Sequence, residues 1–377
     1  MVRNRSLLCS LSLLFALLTG LTGCSVGEEN MEQDRNGDVV SSAAEENTIS
    51  VTPSAEIMEL EDGFSVVRHD GDDGFDGFLS QGGASSDGEV VAYLAENLLS
   101  GLDLGDILGG VFGCSTIASE NQAGEKLFGR NFDWENCEAM IVASYPENGY
   151  ASLSTVNMDF ITQNVSGVVS MALRADEVKT LAALYAPLDG INEAGLAVSV
   201  NMIQDSSTID QDTGKPDLTT TTAIRLLLNQ AADVDEALEL LNQYDMHASM
   251  GMMVHFALAD ISGRSVAVEY VDNQMVVIET PVLTNFYLAE GEKQGIGTQQ
   301  SHERYEILMD RLEESETMEM PDMRDALDSV SKDNFEEFAS TEWSAVFNLD
   351  TGEVRYYHRE NYKTCYQLQL EKQRKGE

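Results

Sequence analysis

The sequence predicts an α+β fold, and three observations carry that prediction. Alternating apolar runs recur down the chain: from Met140 to Tyr145, Ala151 to Val156, Gly167 to Leu173, Gly251 to Ala259, Ser265 to Tyr270 and Met275 to Glu279. That period of two belongs to strands. Two helical stretches, from Thr219 to Ala232 and from Val234 to Tyr244, follow one another instead of alternating with the strands, so the pattern is not βαβ. Finally, 377 residues, 43% of them apolar, are enough to bury a sizeable core.

The chain begins with a segment that reads as export machinery. Arg3 and Arg5 precede a short apolar run from Leu7 to Leu18, and Leu21-Thr22-Gly23-Cys24 has the form of a bacterial lipobox. The run is too short to span a bilayer, so residues 1–23 are expected to be a lipoprotein signal peptide and Cys24 to carry the lipid. That places the protein on the outer face of a bacterial membrane, extracytoplasmic and lipid-anchored. The formal net charge of −43 fits this and argues against nucleic acid as a partner. Residues 24–56, polar and acidic with scattered Ser and Thr, are expected to form a disordered tether. Residues 57–113 are expected to be a pro-segment with one helix, from Glu89 to Leu108, where Val90, Val91, Leu94, Leu98 and Leu102 recur at helical steps before Gly109-Gly110. The acidic run from Asp70 to Gly77 lacks the final Glu of a calcium loop, since Gln81 stands there, and reads as a solvated turn.

Chemistry concentrates just after that helix. Cys114 follows a glycine and opens the run Cys114-Ser115-Thr116-Ile117-Ala118; a polar turn at Asn121-Gln122-Ala123-Gly124 leads to a second strand ending Arg130-Asn131-Phe132-Asp133-Trp134. A hairpin would bring Arg130 and Asp133 beside Cys114. The thiolate is the reactive form of cysteine, a guanidinium favours it, and a carboxylate can hold an amine. The plainer account of Cys114 alone is a buried structural thiol.

This stretch resembles the N-terminal nucleophile hydrolases of the choloylglycine hydrolase and linear amide C–N hydrolase group, which includes penicillin V acylase, N-acylethanolamine acid amidase, acid ceramidase and isopenicillin N acyltransferase. Arg130 and Asp133 stand sixteen and nineteen positions after Cys114, as in that family. The segment Asn192-Glu193-Ala194-Gly195-Leu196-Ala197 and its closing Asn201, the pair Thr284-Asn285, and Ser301-His302-Glu303-Arg304-Tyr305 match further family motifs. The resemblance covers most of 114–377 and implies a four-layer αββα sandwich of two antiparallel sheets between helical layers, making 114–377 the catalytic domain. It also implies the roles. Cys114 is the nucleophile, exposed as an N-terminus by cleavage after Gly113. Arg130 stabilises the thiolate and Asp133 orients the α-amine. Asn201 and a backbone N–H hold the oxyanion, and Asn285 and Arg304 position substrate and developing charge. Asn192 and Glu193 are better read as turn residues.

The expected activity is therefore cysteine-nucleophile hydrolysis of a linear, non-peptide C–N bond in a small N-acyl amide, with no cofactor and with the pro-segment expected to stay on the catalytic chain. An acyltransferase would share the same site. A papain-like protease would need a His base and a different cysteine setting, neither of which is present. A non-catalytic binding lipoprotein on a degenerate hydrolase fold predicts losses among the site residues, yet all stand intact. The crowd of Met246, Met250, Met252 and Met253 reads as core filling before it reads as an acyl pocket. His247 and His255 lack further ligands at metal spacing. His302 is expected to be exposed. Cys137 and Cys365 are expected to be free, with pairing as the alternative in an oxidising compartment.

Overall fold

A computed structural model describes residues 46–98, 113–162, 175–332 and 339–373. The signal peptide, Cys24 and most of the expected tether lie outside the described residues, as does the strand expected from Gly167 to Leu173.

In chain order the elements begin with β1 (Asn47–Ser50), β2 (Met58–Glu61), β3 (Phe64–Asp70), α1 (Phe75–Ser80) and α2 (Asp87–Tyr93). Next come β4 (Gly113–Glu120), β5 (Lys126–Trp134), β6 (Ala139–Tyr145), β7 (Ser152–Asn157), α3 (Asp159–Thr162) and α4 (Asp176–Leu184). The middle holds β8 (Asp189–Asn192), β9 (Ala197–Met202), β10 (Asp217–Thr219), α5 (Thr220–Gln230), α6 (Val234–Leu241) and β11 (Asp245–His247). There follow β12 (Val254–Ala259), β13 (Ser265–Val271), β14 (Gln274–Glu279), β15 (Val282–Leu283), α7 (Gln299–Glu314) and α8 (Met320–Asp328). The last three are β16 (Ser340–Asn348), β17 (Glu353–His358) and β18 (Thr364–Gln369).

Two large sheets face each other. One has seven strands in the order β1-β18-β17-β16-β5-β4-β15, the other nine in the order β14-β13-β12-β9-β8-β7-β6-β3-β2. The space between them is filled by Phe128, Phe132, Trp343, Phe347 and Tyr356 from the first sheet and by residues such as Ile141 and Ile191 from the second. A second, smaller core lies on the outer face of the seven-stranded sheet, where Leu308, Met320, Met323 and Leu327 of α7 and α8 cover Ile117, Val346 and Tyr357. Helices α4 and α5 cover the outer face of the nine-stranded sheet at β6, β8 and β9. These are the four layers of the expected sandwich. Three of the helices start at a polar cap: the Thr219 hydroxyl accepts from Thr222 N–H at α5, Asp233 from Glu236 N–H at α6, and Thr298 from Ser301 N–H at α7. The turn before β9 is built as its sequence suggests, with Asn192 Oδ1 accepting from the N–H groups of Ala194 and Leu196. Gly195 there has φ of +92°, and a Cβ would fall 2.6 Å from the Leu349 carbonyl, so glycine is required on both counts.

Several expectations are corrected. Residues 46–56 are not all free tether, because β1 pairs in parallel with β18 from Asn47 opposite Thr364 to Ser50 opposite Gln367. All four β1 residues are exposed, so backbone hydrogen bonding alone holds the strand and no apolar pattern announces it. The segment before Cys114 holds more than one helix. β3 runs parallel to β6 over seven residue pairs and buries Phe64, Val66 and Val67, while β2 extends the same sheet edge. The expected long helix is described as α2 followed by a π-turn over Leu94–Leu98, and its later residues lie outside the described range. The sheets are consequently not wholly antiparallel: β1 and β3 join in parallel because no hairpin connects them to their neighbours. His302 is half-buried, stacked on Phe286 with ring centroids 3.9 Å apart.

Met246, Met252 and Met253 are core residues and Met250 packs against them. His247 lies between Asp210 and Asp217, at 3.0 and 2.9 Å, whereas His255 is buried in the nine-stranded sheet. Cys137 and Cys365 are free and buried, with burial pushing the Cys365 thiol up to about 12.

Candidate active site

The site grows out of the β4–β5 hairpin. Its register sets Gly113 opposite Asp133, Cys114 opposite Phe132 and Thr116 opposite Arg130. The strand alternation sends Arg130 inward, across the gap between the sheets, where a cation needs fixed partners to be tolerated. It finds them: Nε donates to Asp189 Oδ2 at 3.1 Å, Nη1 to Asn201 Oδ1 at 3.1 Å and to the Asn131 carbonyl at 3.0 Å, and Nη2 to the Val200 carbonyl at 3.0 Å. Trp343 Nε1 donates to the same Asp189 oxygen at 2.9 Å. The guanidinium charge also acts on the Cys114 thiol.

Cys114 is fully buried. Burial pushes its thiol up; Arg130 and Arg304 pull it down and Asp133 pushes it further up, and the balance is upward. Arg130 therefore does not by itself yield a thiolate in this uncut chain, and the thiol needs a base.

Asp133, Asn285 and Arg304 surround the Cys114 backbone. The Cys114 N–H donates to Asn285 Oδ1 at 2.8 Å. Arg304 Nη2 donates to the same oxygen at 2.6 Å, and Nη1 donates to the Cys114 carbonyl at 3.0 Å, to Ser115 Oγ at 3.1 Å and to Asp133 Oδ2 at 3.0 Å. Arg304, on the second turn of α7, is thus buried against Cys114 and is no surface arginine. Thr341 Oγ1 donates to Asp133 Oδ1 at 2.8 Å. Asn285 itself is pinned by its N–H donating to Ser301 Oγ at 2.6 Å and its Nδ2 donating to the Met202 carbonyl at 2.7 Å. Asn201 Nδ2 is directed at the carbonyls of Leu283 and Thr284, at 3.2 and 3.5 Å.

All six residues singled out in the sequence meet here: Cys114, Arg130, Asp133, Asn201, Asn285 and Arg304. The pairing differs from expectation in one respect. The cysteine nitrogen is bonded to Asn285, not to Asp133. As a peptide nitrogen it has one hydrogen, which Asn285 takes; an amine has more, and the Asp133 carboxylate lies on the opposing strand.

Sequence reasoning missed a supporting ring. Asp189, the carboxylate behind Arg130, opens β8 just ahead of the Asn192 turn and belongs to none of the motifs singled out in the sequence. Thr341 and Lys332, around Asp133, lie near no motif. His255 and Glu269 are a buried pair on adjacent strands, and each His255 ring nitrogen meets an oxygen: Nδ1 faces Glu269 Oε1 at 3.0 Å and Nε2 the Thr284 carbonyl at 2.8 Å. Burial pushes the Glu269 carboxyl upward, but His255 and the N–H groups of Leu288 and Ala289 outweigh it and hold the carboxyl below its usual range. This pair braces the backbone that carries Asn285.

Comparison with known proteins follows the same outline. Residues 114–287 match the family described as linear amide C–N hydrolases, choloylglycine hydrolase family. A bile salt hydrolase/transferase from Clostridium perfringens (strain 13 / Type A) is 28% identical over 182 residues, 46% of this chain and 53% of that protein. The chain thus spans about half the length of this curated relative. Among solved structures, a variant of conjugated bile acid hydrolase from Clostridium perfringens superposes with a TM-score of 0.50 at 18% identity, over 68% of this chain and 92% of the other. Penicillin V acylase from Agrobacterium tumefaciens gives 0.40 at 18% identity, over 65% and 83%. Over residues 114–287, the chain is thus similar to the choloylglycine hydrolase family of linear amide C–N hydrolases.

Proposed function

We propose that the protein is a hydrolase of linear amide C–N bonds that uses Cys114 as its nucleophile after cleavage of the Gly113–Cys114 bond. The observation that carries this reading is the convergence of Arg130, Asp133, Asn285 and Arg304 on the thiol and backbone of one buried cysteine preceded by glycine.

In the first step the Cys114 thiol adds to the Gly113 carbonyl carbon and the peptide C–N bond breaks. The cysteine nitrogen takes up the thiol proton and becomes the α-amine, and Gly113 is left as a thioester. Water hydrolyses the thioester, releasing a Gly113 carboxylate and regenerating the thiol. In turnover the α-amine, with an ordinary pKa of 7.7–8.0, accepts the thiol proton, a task the upward-shifted thiol requires. The thiolate attacks the acyl carbon of the amide. Asn201 and a backbone N–H stabilise the tetrahedral oxyanion, the ammonium returns its proton to the leaving amine, and water cleaves the acyl-enzyme. Asp133 orients the α-amine, and Asn285 and Arg304 hold substrate and the charge that develops. Asn201 exchanges its hold on the Leu283 and Thr284 carbonyls for the oxyanion.

The acyl-enzyme also permits transfer to an amine in place of water, and the relative whose name joins hydrolase with transferase favours keeping that second reading. Export and lipidation at Cys24 belong to the same proposal, resting on the Leu21-Thr22-Gly23-Cys24 motif. So does retention of the upstream segment, whose strands β1 and β3 lie in the two sheets.

The test is a panel of N-acyl amides differing in acyl group and amine, assayed for released amine and free acid by mass spectrometry, with and without a competing amine. The expected result is release by the cleaved protein and none by Cys114→Ala. Equal release by both would remove the cysteine from the mechanism. A new amide in place of acid would select the transferase reading.

A further inference from the structure

Lys332 lies just beyond α8 and has no place in the mechanism above. Its backbone is clasped to β16: Lys332 N–H donates to Thr341 Oγ1 at 2.8 Å, and Thr341 N–H returns to the Lys332 carbonyl at 3.0 Å. The side chain runs inward and is only 12% exposed. Its Nζ lies 3.6 Å from Asp133 Oδ2. It also lies against the residue before the nucleophile: a Cβ placed on Gly113 would come 2.5 Å from Lys332 Nζ and 3.0 Å from Asp133 Oδ2. The ammonium thus occupies the volume that a side chain at position 113 would fill, and Gly113 Cα is two covalent bonds from the Cys114 nitrogen.

Among the described residues of the uncut chain, the charges around that nitrogen do not cancel. Arg130 from β5 is matched by Asp189 from β8 at 3.1 Å, and Arg304 from α7 by Asp133 from β5 at 3.0 Å. Among the described residues Lys332 reaches Asp133, which Arg304 already engages, so in the uncut chain these five groups leave one surplus positive charge beside the nitrogen; cleavage adds the Gly113 carboxylate, and the Lys332 ammonium is the charge set against it. A positive charge opposes protonation of a neighbouring amine. We propose that Lys332 is a positioning residue whose ammonium, held over Gly113 by Asp133, keeps the freed α-amine of Cys114 neutral and able to accept the thiol proton near pH 7.

The inference rests on the reading that cleavage frees this amine. It also gives a reason for glycine before the nucleophile, since any side chain there would press the ammonium away from Asp133. At a separation of several ångströms in a protein interior, the Lys332 charge is worth about one pH unit on the amine.

The experiment uses the cleaved two-chain protein with cysteine labelled by carbon-13 at the carbonyl. The Cys114 signal is identified as the one that moves on cleavage, and its shift is followed against pH. Lys332→Met and, as a second neutral variant, Lys332→Gln are expected to raise the titration midpoint by about one unit, while Lys332→Arg stays near the wild type. Loss of a merely structural contact would lower thermal stability and leave the midpoint in place. An unchanged midpoint in both neutral variants overturns the inference while leaving the proposed hydrolase intact. A wild-type chain that never splits before Cys114 overturns both.

Discussion

The Asn285 side chain accepts the Cys114 backbone N–H at 2.8 Å, joining the second residue after β15 to the start of β4 across 171 positions of sequence. The same oxygen accepts from Arg304. One amide therefore fixes the Cys114 nitrogen and the cation that grips its carbonyl.

Replacing that amide should slow chemistry more than it harms folding. Asn285→Ala is expected to reduce both cleavage before Cys114 and amide turnover by about 10²–10³-fold, the usual effect of losing one polar group aimed at a reacting centre. A gel time course of chain splitting, beside a thermal melt, separates the two effects. A variant that melts like wild type and splits at the wild-type rate would release Asn285 from the site.

Asp189 should behave in the opposite way. It is fully buried behind Arg130 and also takes the Trp343 indole N–H. Asp189→Ala leaves a buried guanidinium without its carboxylate, a change that typically destabilises by about 3–5 kcal/mol. Thermal and chemical denaturation should show a clear loss of stability, together with loss of activity as Arg130 shifts. A melt within a degree or two of wild type would contradict the assignment.

The Glu269 carboxyl, held below its usual range, makes a pH-dependent contribution to stability. A lowered folded-state pKa means the unfolded chain binds the proton first as pH falls. The contribution is therefore complete above the ordinary glutamate value of about 4.3 and disappears as pH drops through the lower folded value. Glu269→Gln should be less stable than wild type at pH 7, with the gap closing in acid. Denaturation curves at pH 7, 5 and 3 measure it; a gap that widens toward pH 3 would reverse the sign.

The segment before Cys114 should stay with the catalytic chain after cleavage. β3 contributes seven residue pairs and buried Phe64, Val66 and Val67 to one sheet, and β1 extends the other. Strand pairing and core burial of this extent do not release on their own. After splitting, both chains are expected in one peak on native size-exclusion chromatography and in two under denaturant. Two peaks without denaturant would defeat this.

Much of the site was legible because its residues sit in short, dense strings around one hairpin and two strand ends. Cys114, Arg130 and Asp133 are close in sequence, and strand alternation does the rest. The supporting ring was not legible for the converse reason. Asp189, Thr341 and Lys332 act through tertiary neighbours that no local period encodes. The fold was read well where apolar alternation is strong, as in β6, β7 and β13. It was misread upstream, where β1 is exposed on every residue and is held by backbone hydrogen bonds. The apolar stretch of β3 lies among acidic residues that mask it in composition.

The central claim is that Cys114 becomes an N-terminal nucleophile, and intact mass with N-terminal sequencing tests it most directly. The wild-type protein should yield two chains, one beginning Cys114-Ser115-Thr116, while Cys114→Ala should remain a single chain across that junction. A wild-type protein that is active on an amide yet stays uncut between Gly113 and Cys114 would contradict the account, because the α-amine on which its proton transfers depend would not exist.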